Sequence, residues 1–169
     1  MVIAAGGIYN GKGLASALAQ GAAGVWVGTR FICAEEAGAS RVHQNEVISA
    51  GHNDTVRTII YTGRPMRVKK TKFIMDWEAN EPKIRELTGK GIIPVPYVDF
   101  NTVYKRNDLT SWCRYDSCDP DVRPFLMGAV AAEVKDIQPA KKIVDDMISE
   151  AVDCLSQASS FLQSGQSKL

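Results

Sequence analysis

The sequence predicts an α/β fold, on three observations. Residues 2–5, VIAA, are a short apolar run that ends at Gly6-Gly7. A helix-periodic stretch follows, and residues 24–29, GVWVGT, form a second apolar run ending in glycine and threonine. A short apolar run without polar alternation reads as a buried strand, because a strand covered on both faces needs no polar side. Strand, helix and strand at this spacing make a βαβ unit with parallel strands.

Between the two strands, Asn10 is placed to cap a helix carrying Leu14, Ala15, Leu18 and Ala19 on one face, with Gly21 at its stop. Ser40 caps a further helix bearing Val42, Val47 and Ile48, closed by Gly51. Residues 55–62, TVRTIIYT, are rich in β-branched side chains and read as a strand, and Gly63-Arg64-Pro65 as a turn. Pro82 and Gly89 bracket a short helix with proline in its tolerated first turn. Residues 91–125 hold four of the seven prolines and little periodicity, which suggests a small irregular subdomain. Phe73, Trp77, Tyr97, Phe100 and Trp112 read as core of a small domain that includes this stretch. The last segment is the most regular: Ile143, Val144, Met147, Ile148, Ala151, Val152 and Leu155 follow a single helix face, started by Asp136 and Pro139. The polar residues 163–169 read as a frayed tail.

The 169 residues are 45% hydrophobic and 23% charged, enough for one ordinary apolar core. Lys plus Arg number 20 against 19 for Asp plus Glu. This balance gives no electrostatic reason for nucleic acid or an anionic membrane as a partner. No apolar run approaches a membrane span, and the N-terminus lacks the basic and apolar regions of a signal peptide, so a cytoplasmic protein is expected. Cys33, Cys113, Cys118 and Cys154 have no zinc-site spacing and are expected as free thiols.

The first strand begins at residue 2, with nothing before it to pair one edge or cover one face. Two parallel strands do not make a stable core. The expectation is that further strands precede this segment in a longer chain. A partner molecule that supplies them is the alternative.

The chemistry-bearing feature is the pair of strand ends. Glycine lets backbone approach an anion closely, and free amides at a following helix N-terminus favour negative charge. Gly6 and Gly7 after the first strand, with Gly28 and Thr29 after the second, therefore form a candidate phosphate corner, Thr29 adding a hydroxyl. Arg30 is expected to pair with Glu35 or Glu36, and those carboxylates to be solvated or ion-paired rather than catalytic. Arg64 and Arg67 read as a solvated strand end, Lys69, Lys70 and Lys72 as a solvated basic face. His43 and His52 are expected in surface or capping roles.

The stretch VIAAGGIYNGKGLASALAQGAAGVWVGTRF resembles the signature of the nitronate monooxygenase family, formerly 2-nitropropane dioxygenases. EEAGASRVHQNEVISAGHNDTVRTIIYTGRPMRV and the DWE at 76–78 are similar to its fungal-type members, and DIQPAKKIVDDMISEAVDCL to its last barrel helix. The resemblance implies the C-terminal part of a TIM (β/α)8 barrel, about two βα units and the final helix, with a small inserted α+β subdomain. Residues 1–51 and 128–162 would be the FMN-binding part of that barrel and 52–127 the substrate-side insertion. It implies FMN as cofactor, its phosphate held by Gly6, Gly7, Trp26, Val27, Gly28 and Thr29. Trp26 departs from the smaller or amide side chain often found there, which puts a side-chain contact in doubt but not a backbone one. An alkyl nitronate and O2 would be the small-molecule partners, giving a carbonyl compound and nitrite. The family's catalytic histidine belongs to a loop before the strand that opens this sequence, so no catalytic residue is assigned and the chain by itself is expected to be inactive. A flavin-dependent enoyl-carrier-protein reductase and a non-catalytic remnant are the alternative readings.

Overall fold

The computed structural model describes residues 1–95 and 121–166. Strand β1 (Ile3–Ala5) and strand β2 (Gly24–Trp26) pair in parallel, Ile3 opposite Gly24 and Ala5 opposite Trp26. Helix α1 (Gly11–Ala19) connects them. Its start and stop are those the sequence marks: the Asn10 side chain accepts from the Gly13 amide at 3.0 Å, and Gly21 takes φ +91° just past the end. Helix α2 is a single turn, Thr29–Ile32, and α3 (Arg41–Ile48) is capped by Ser40 as expected.

The two parallel strands are not buried as the apolar runs suggest. Ile3 is 53% and Trp26 72% exposed. Among the described residues this sheet has two strands, packed against α1, and their apolar side chains have no second layer to enter.

Strand β3 is shorter than the TVRTIIYT run and ends at Thr58. Beyond it Ile60 and Tyr61 are buried while the chain turns, the Gly63 amide donating to the Ile59 carbonyl. Strand β4 (Met66–Lys69), unmarked in the sequence, pairs antiparallel with β3. Helix α4 (Lys72–Glu78) was also not expected; Thr71 caps it, and Phe73, Ile74 and Trp77 supply its inner face. Helix α5 (Glu81–Gly89) carries Pro82 in its first turn. Ile60, Tyr61, Val68, Ile74 and Ile84 form the core here, with Phe73 and Trp77 packed on it. Tyr97, Phe100 and Trp112 lie outside the described residues. The returning chain runs beside β4, then forms a 3-10 turn (Ala129–Glu133) before helix α6 (Ala140–Gln166).

Helix α6 packs on α1 through Ile143, Met147 and Ala151, all buried. The predicted stripe is wider than the contact: Val144, Ile148, Val152 and Leu155 are each more than 40% exposed. The crossing is close because Gly11 faces α6, where an added Cβ would stand 2.5 Å from the Met147 carbonyl oxygen. The Glu36 carboxylate accepts from the Ala140 amide at 2.7 Å and caps the start of α6. Helical backbone continues to Gln166, into the polar segment read as a tail.

Candidate functional site

Parallel register sets the site. Because Ala5 lies opposite Trp26, the residues that follow, Gly6-Gly7 and Val27-Gly28-Thr29, leave neighbouring strands at the same end. Adjacent strands run roughly 4.8 Å apart, so the two turns border one space. Gly6 and Gly7 have φ +91° and +73°, in the left-handed region that other residues enter only at a cost. A Cβ built on Gly6, Gly7 or Gly28 would meet nothing within 4 Å. Among the described residues, no backbone hydrogen bond engages the amides of these three glycines. The corner therefore offers exposed amides without a backbone acceptor among the described residues, beside open space, which suits an anion.

The neighbouring helix ends contribute less than expected. At the start of α1 the Gly11 amide donates to Glu150 Oε2 at 2.7 Å, and the Gly13 amide is taken by Asn10. A carboxylate already occupies that N-terminus and would repel a second anion. Helix α2, with four residues, has little dipole to offer. Donation falls to the turns themselves.

The side chains around the corner sort into those that face it and those that do not. Val27 packs inward against the cluster of Ala34, Ile143 and Met147, leaving its backbone to the turn. The Trp26 side chain stands mostly in solvent. Thr29 Oγ1 accepts from the Gly128 amide at 2.9 Å. Arg30 does not pair with Glu35 or Glu36. Its guanidinium is buried and donates to the Asp136 backbone oxygen and to Asp136 Oδ1, both at 2.9 Å. Asp136 lies in the segment leading to α6, next to the base of α2, whereas Glu36 is spent capping α6.

Beside the corner lies a cleft of about 220 Å³ lined by Tyr9, Arg30, Glu133, Asp136, Asp146 and Glu150, among others. Four carboxylates against one already paired guanidinium make it a poor place for phosphate. Tyr9 donates to Glu133 at 3.3 Å; desolvation, then the Glu133 charge, push its phenol above the ordinary value.

The two histidines are also placed. His43 is half-buried rather than on the surface, its Nε2 2.7 Å from the Leu126 carbonyl oxygen and its ring 5.7 Å from that of Phe125. His52 is exposed, 3.6 Å from Glu133. Lys70 and Lys72 are exposed as expected, Lys72 beside Asp76, whereas Lys69 is bonded to Glu46 and largely withdrawn from solvent. Arg67 remains exposed as expected. Cys33 and Cys154 are free thiols, with Cys33 buried and its thiol pushed up by desolvation; Cys113 and Cys118 lie outside the described residues. No group of side chains among the described residues is arranged to hold a metal ion, and no helix there is long and apolar enough to cross a membrane.

This arrangement meets known proteins in a consistent way. The profile of the nitronate monooxygenase family matches residues 1–150. The chain belongs to the nitronate monooxygenase family. A Mycobacterium tuberculosis protein named as a monooxygenase is 28% identical over 166 residues, covering 96% of this chain and 42% of its own length. A nitronate monooxygenase of Metarhizium robertsii is 52% identical over 62 residues, 36% of this chain and 17% of the relative. Among solved structures, FabK from Thermotoga maritima superposes with a TM-score of 0.68 and 28% identity, over 95% of this chain and 47% of that one. The chain thus spans less than half the length of these relatives. Gly128, which follows the β3–β4 hairpin in sequence and bonds Thr29, is a neighbour that no sequence spacing marked.

Proposed function

We propose that the two glycine turns hold the phosphate of FMN, and that this chain contributes that corner to an enzyme oxidising alkyl nitronates to a carbonyl compound and nitrite with O2. The observation that carries the reading is the adjacency of two exposed glycine turns, beside which an added Cβ would meet nothing within 4 Å. The residues fit the group: among the described residues no side chain fills the space next to Gly6, Gly7 or Gly28, and no carboxylate is bonded to their amides. In this reading the Gly6, Gly7 and Gly28 amides and the Thr29 hydroxyl donate to phosphate oxygens, charge-assisted bonds that are stronger than neutral ones. Trp26 and Val27 take part through their backbone alone. FMN, when bound, supplies the electron acceptor for the nitronate.

Residues 1–51 and 128–162 are the cofactor side of a (β/α)8 barrel in this reading, and 52–127 lie on the substrate side. The outer edges of β1 and β2 then receive neighbouring strands. Neither histidine takes the role of base: His43 is tied to Leu126, and His52 stands beside Glu133. The base implied by the family resemblance lies upstream, so these 169 residues by themselves are expected to release no nitrite from a nitronate.

Amide shifts test the corner even where affinity is low. Titrating the 15N-labelled chain with FMN should move the Gly6, Gly7 and Gly28 signals, inorganic phosphate should move the same three, and riboflavin should leave them in place. Shifts elsewhere, or equal shifts with riboflavin, would overturn the phosphate assignment. A second reading, a flavin-dependent enoyl-carrier-protein reductase, is favoured by the superposition on FabK. The two readings separate in a longer, flavin-loaded form of the enzyme, where rapid bleaching of the flavin by NADPH favours the reductase.

A further inference from the structure

We propose that Gly128 is a positioning residue for the phosphate corner: its amide fixes the Thr29 hydroxyl so that the Thr29 proton is directed at the anion. The inference rests on the phosphate reading given above. A threonine hydroxyl has one proton to donate and two lone pairs to accept with. The Gly128 amide occupies one lone pair at 2.9 Å, which leaves the proton free for an oxygen on the open side of the turn. Arg30 is turned away to Asp136, and Glu150 holds the α1 N-terminus. Among the described residues, Thr29 is therefore the side chain placed to add a donor to the glycine amides.

The need for glycine at 128 is steric. Its φ of −76° and ψ of 168° are open to any residue, so conformation does not demand it. A Cβ there would stand 3.0 Å from Thr29 Oγ1, close enough to push the hydroxyl off its place. The Ala131 amide, donating to the Gly128 carbonyl, holds the peptide from the other side.

The contact spans 99 residues of sequence and forms where the chain leaves the hairpin. The Lys69 amide donates to the Phe125 carbonyl at 2.9 Å and the Met127 amide to the Arg67 carbonyl at 3.2 Å. Residues 125–127 thus run bonded along β4, and the next residue reaches Thr29. A short, hydrogen-bonded backbone path joins the hairpin region to the corner, so seating of the hairpin sets the aim of the corner's hydroxyl.

The test uses the full 169-residue chain and reads the ratio of FMN to riboflavin affinity by NMR titration, which isolates the phosphate contribution. Thr29→Val should lower FMN affinity about tenfold, the loss of one hydrogen bond to a charged group, with riboflavin affinity unchanged. Thr29→Ser should retain wild-type affinity to within about twofold, since the hydroxyl stays. Gly128→Ala should lower the ratio by about threefold to tenfold while riboflavin binding holds, as the hydroxyl is displaced rather than removed. If Thr29→Val weakens FMN but Gly128→Ala does not, the positioning role of Gly128 is overturned while the corner stands. If neither variant changes the ratio while the glycine amides still respond to FMN, the whole inference fails and the corner binds through backbone alone. A wild-type chain that does not distinguish FMN from riboflavin removes the phosphate reading and this inference with it.

Discussion

In the hairpin region Ile60, Val68 and Ile74 are wholly buried beneath β3, β4, α4 and α5, whereas in the parallel pair Ile3 is 53% and Trp26 72% exposed. Both regions draw on apolar and β-branched residues, and hydrophobicity alone does not separate them. Closure does. The antiparallel hairpin folds back on itself, and two short helices and Leu126 of the returning chain pack on it, so its core is closed. A parallel pair needs crossover helices and further strands on each side, and among the described residues α1, with α6 behind it, is what covers it. The candidate site sits on the less closed region, at strand ends whose glycine amides have no backbone acceptor among the described residues.

The sharpest way to break this comparison is a pair of truncations. Ile74→Ala, in the closed core, should cost about 2–5 kcal/mol in urea unfolding, the usual loss for a buried aliphatic side chain. Trp26→Ala should stay within about 0.5 kcal/mol, as for an exposed residue. A Trp26 loss matching that of Ile74 would mean the parallel strands are covered in solution, by a second copy or otherwise, and the contrast would vanish.

Next in size is the joint between α1 and α6. Gly11→Ala forces a Cβ to within 2.5 Å of α6 backbone, and overpacking of this kind costs about 1–3 kcal/mol. Thermal unfolding measures it. Gly38→Ala, where a Cβ meets nothing within 4 Å, is the matched control and should leave the melting temperature nearly unchanged. Equal effects at both positions would show that the α1–α6 crossing opens freely.

Smaller again is the carboxylate at the α1 N-terminus. Glu150→Gln keeps an acceptor for the Gly11 amide but removes the charge, and should cost about 0.3–1 kcal/mol, the worth of a carboxylate at a helix N-terminus. The same variant should not weaken FMN, because the corner in the proposed reading does not use that helix end. Loss of FMN affinity in Glu150→Gln would count against the division between corner and cleft.

How much of this was legible beforehand follows the range of the interactions. Asn10, Ser40, Gly21 and Pro82 act on residues within a turn of themselves, and their helices lie where those residues mark them. The juxtaposition of Gly6-Gly7 with Gly28-Thr29 was legible because one helix of standard length separates two parallel strands. Strand β4 and helix α4 were not read, since MRVK carries two charges in four residues and α4 has a single wholly buried position, Ile74. Arg30 was given a partner in the next turn when its partner, Asp136, is 106 residues away, and Gly128 has no local signal at all. Tertiary neighbours of this kind are invisible to periodicity, and they are what orients the candidate site.

The smallest effect expected is a pH dependence at the seam between the two regions. The His43 ring lies between α3 and the returning chain, bonded to the Leu126 carbonyl and facing Phe125. Burial is the main force lowering its pKa; the Leu126 bond and Glu46 oppose it, and Arg123 adds to it. A histidine whose folded pKa lies below its unfolded value of about 6.5 takes up its proton first in the unfolded chain. Its contribution is therefore complete above that value and is lost as pH falls through the folded pKa. The unfolding midpoint in urea should drop between pH 7 and pH 5, and His43→Gln, which keeps an N–H donor without a titrating ring, should show a shallower fall over the same interval. An identical fall in both proteins would assign the acid sensitivity to carboxylates elsewhere and leave the seam electrically neutral throughout.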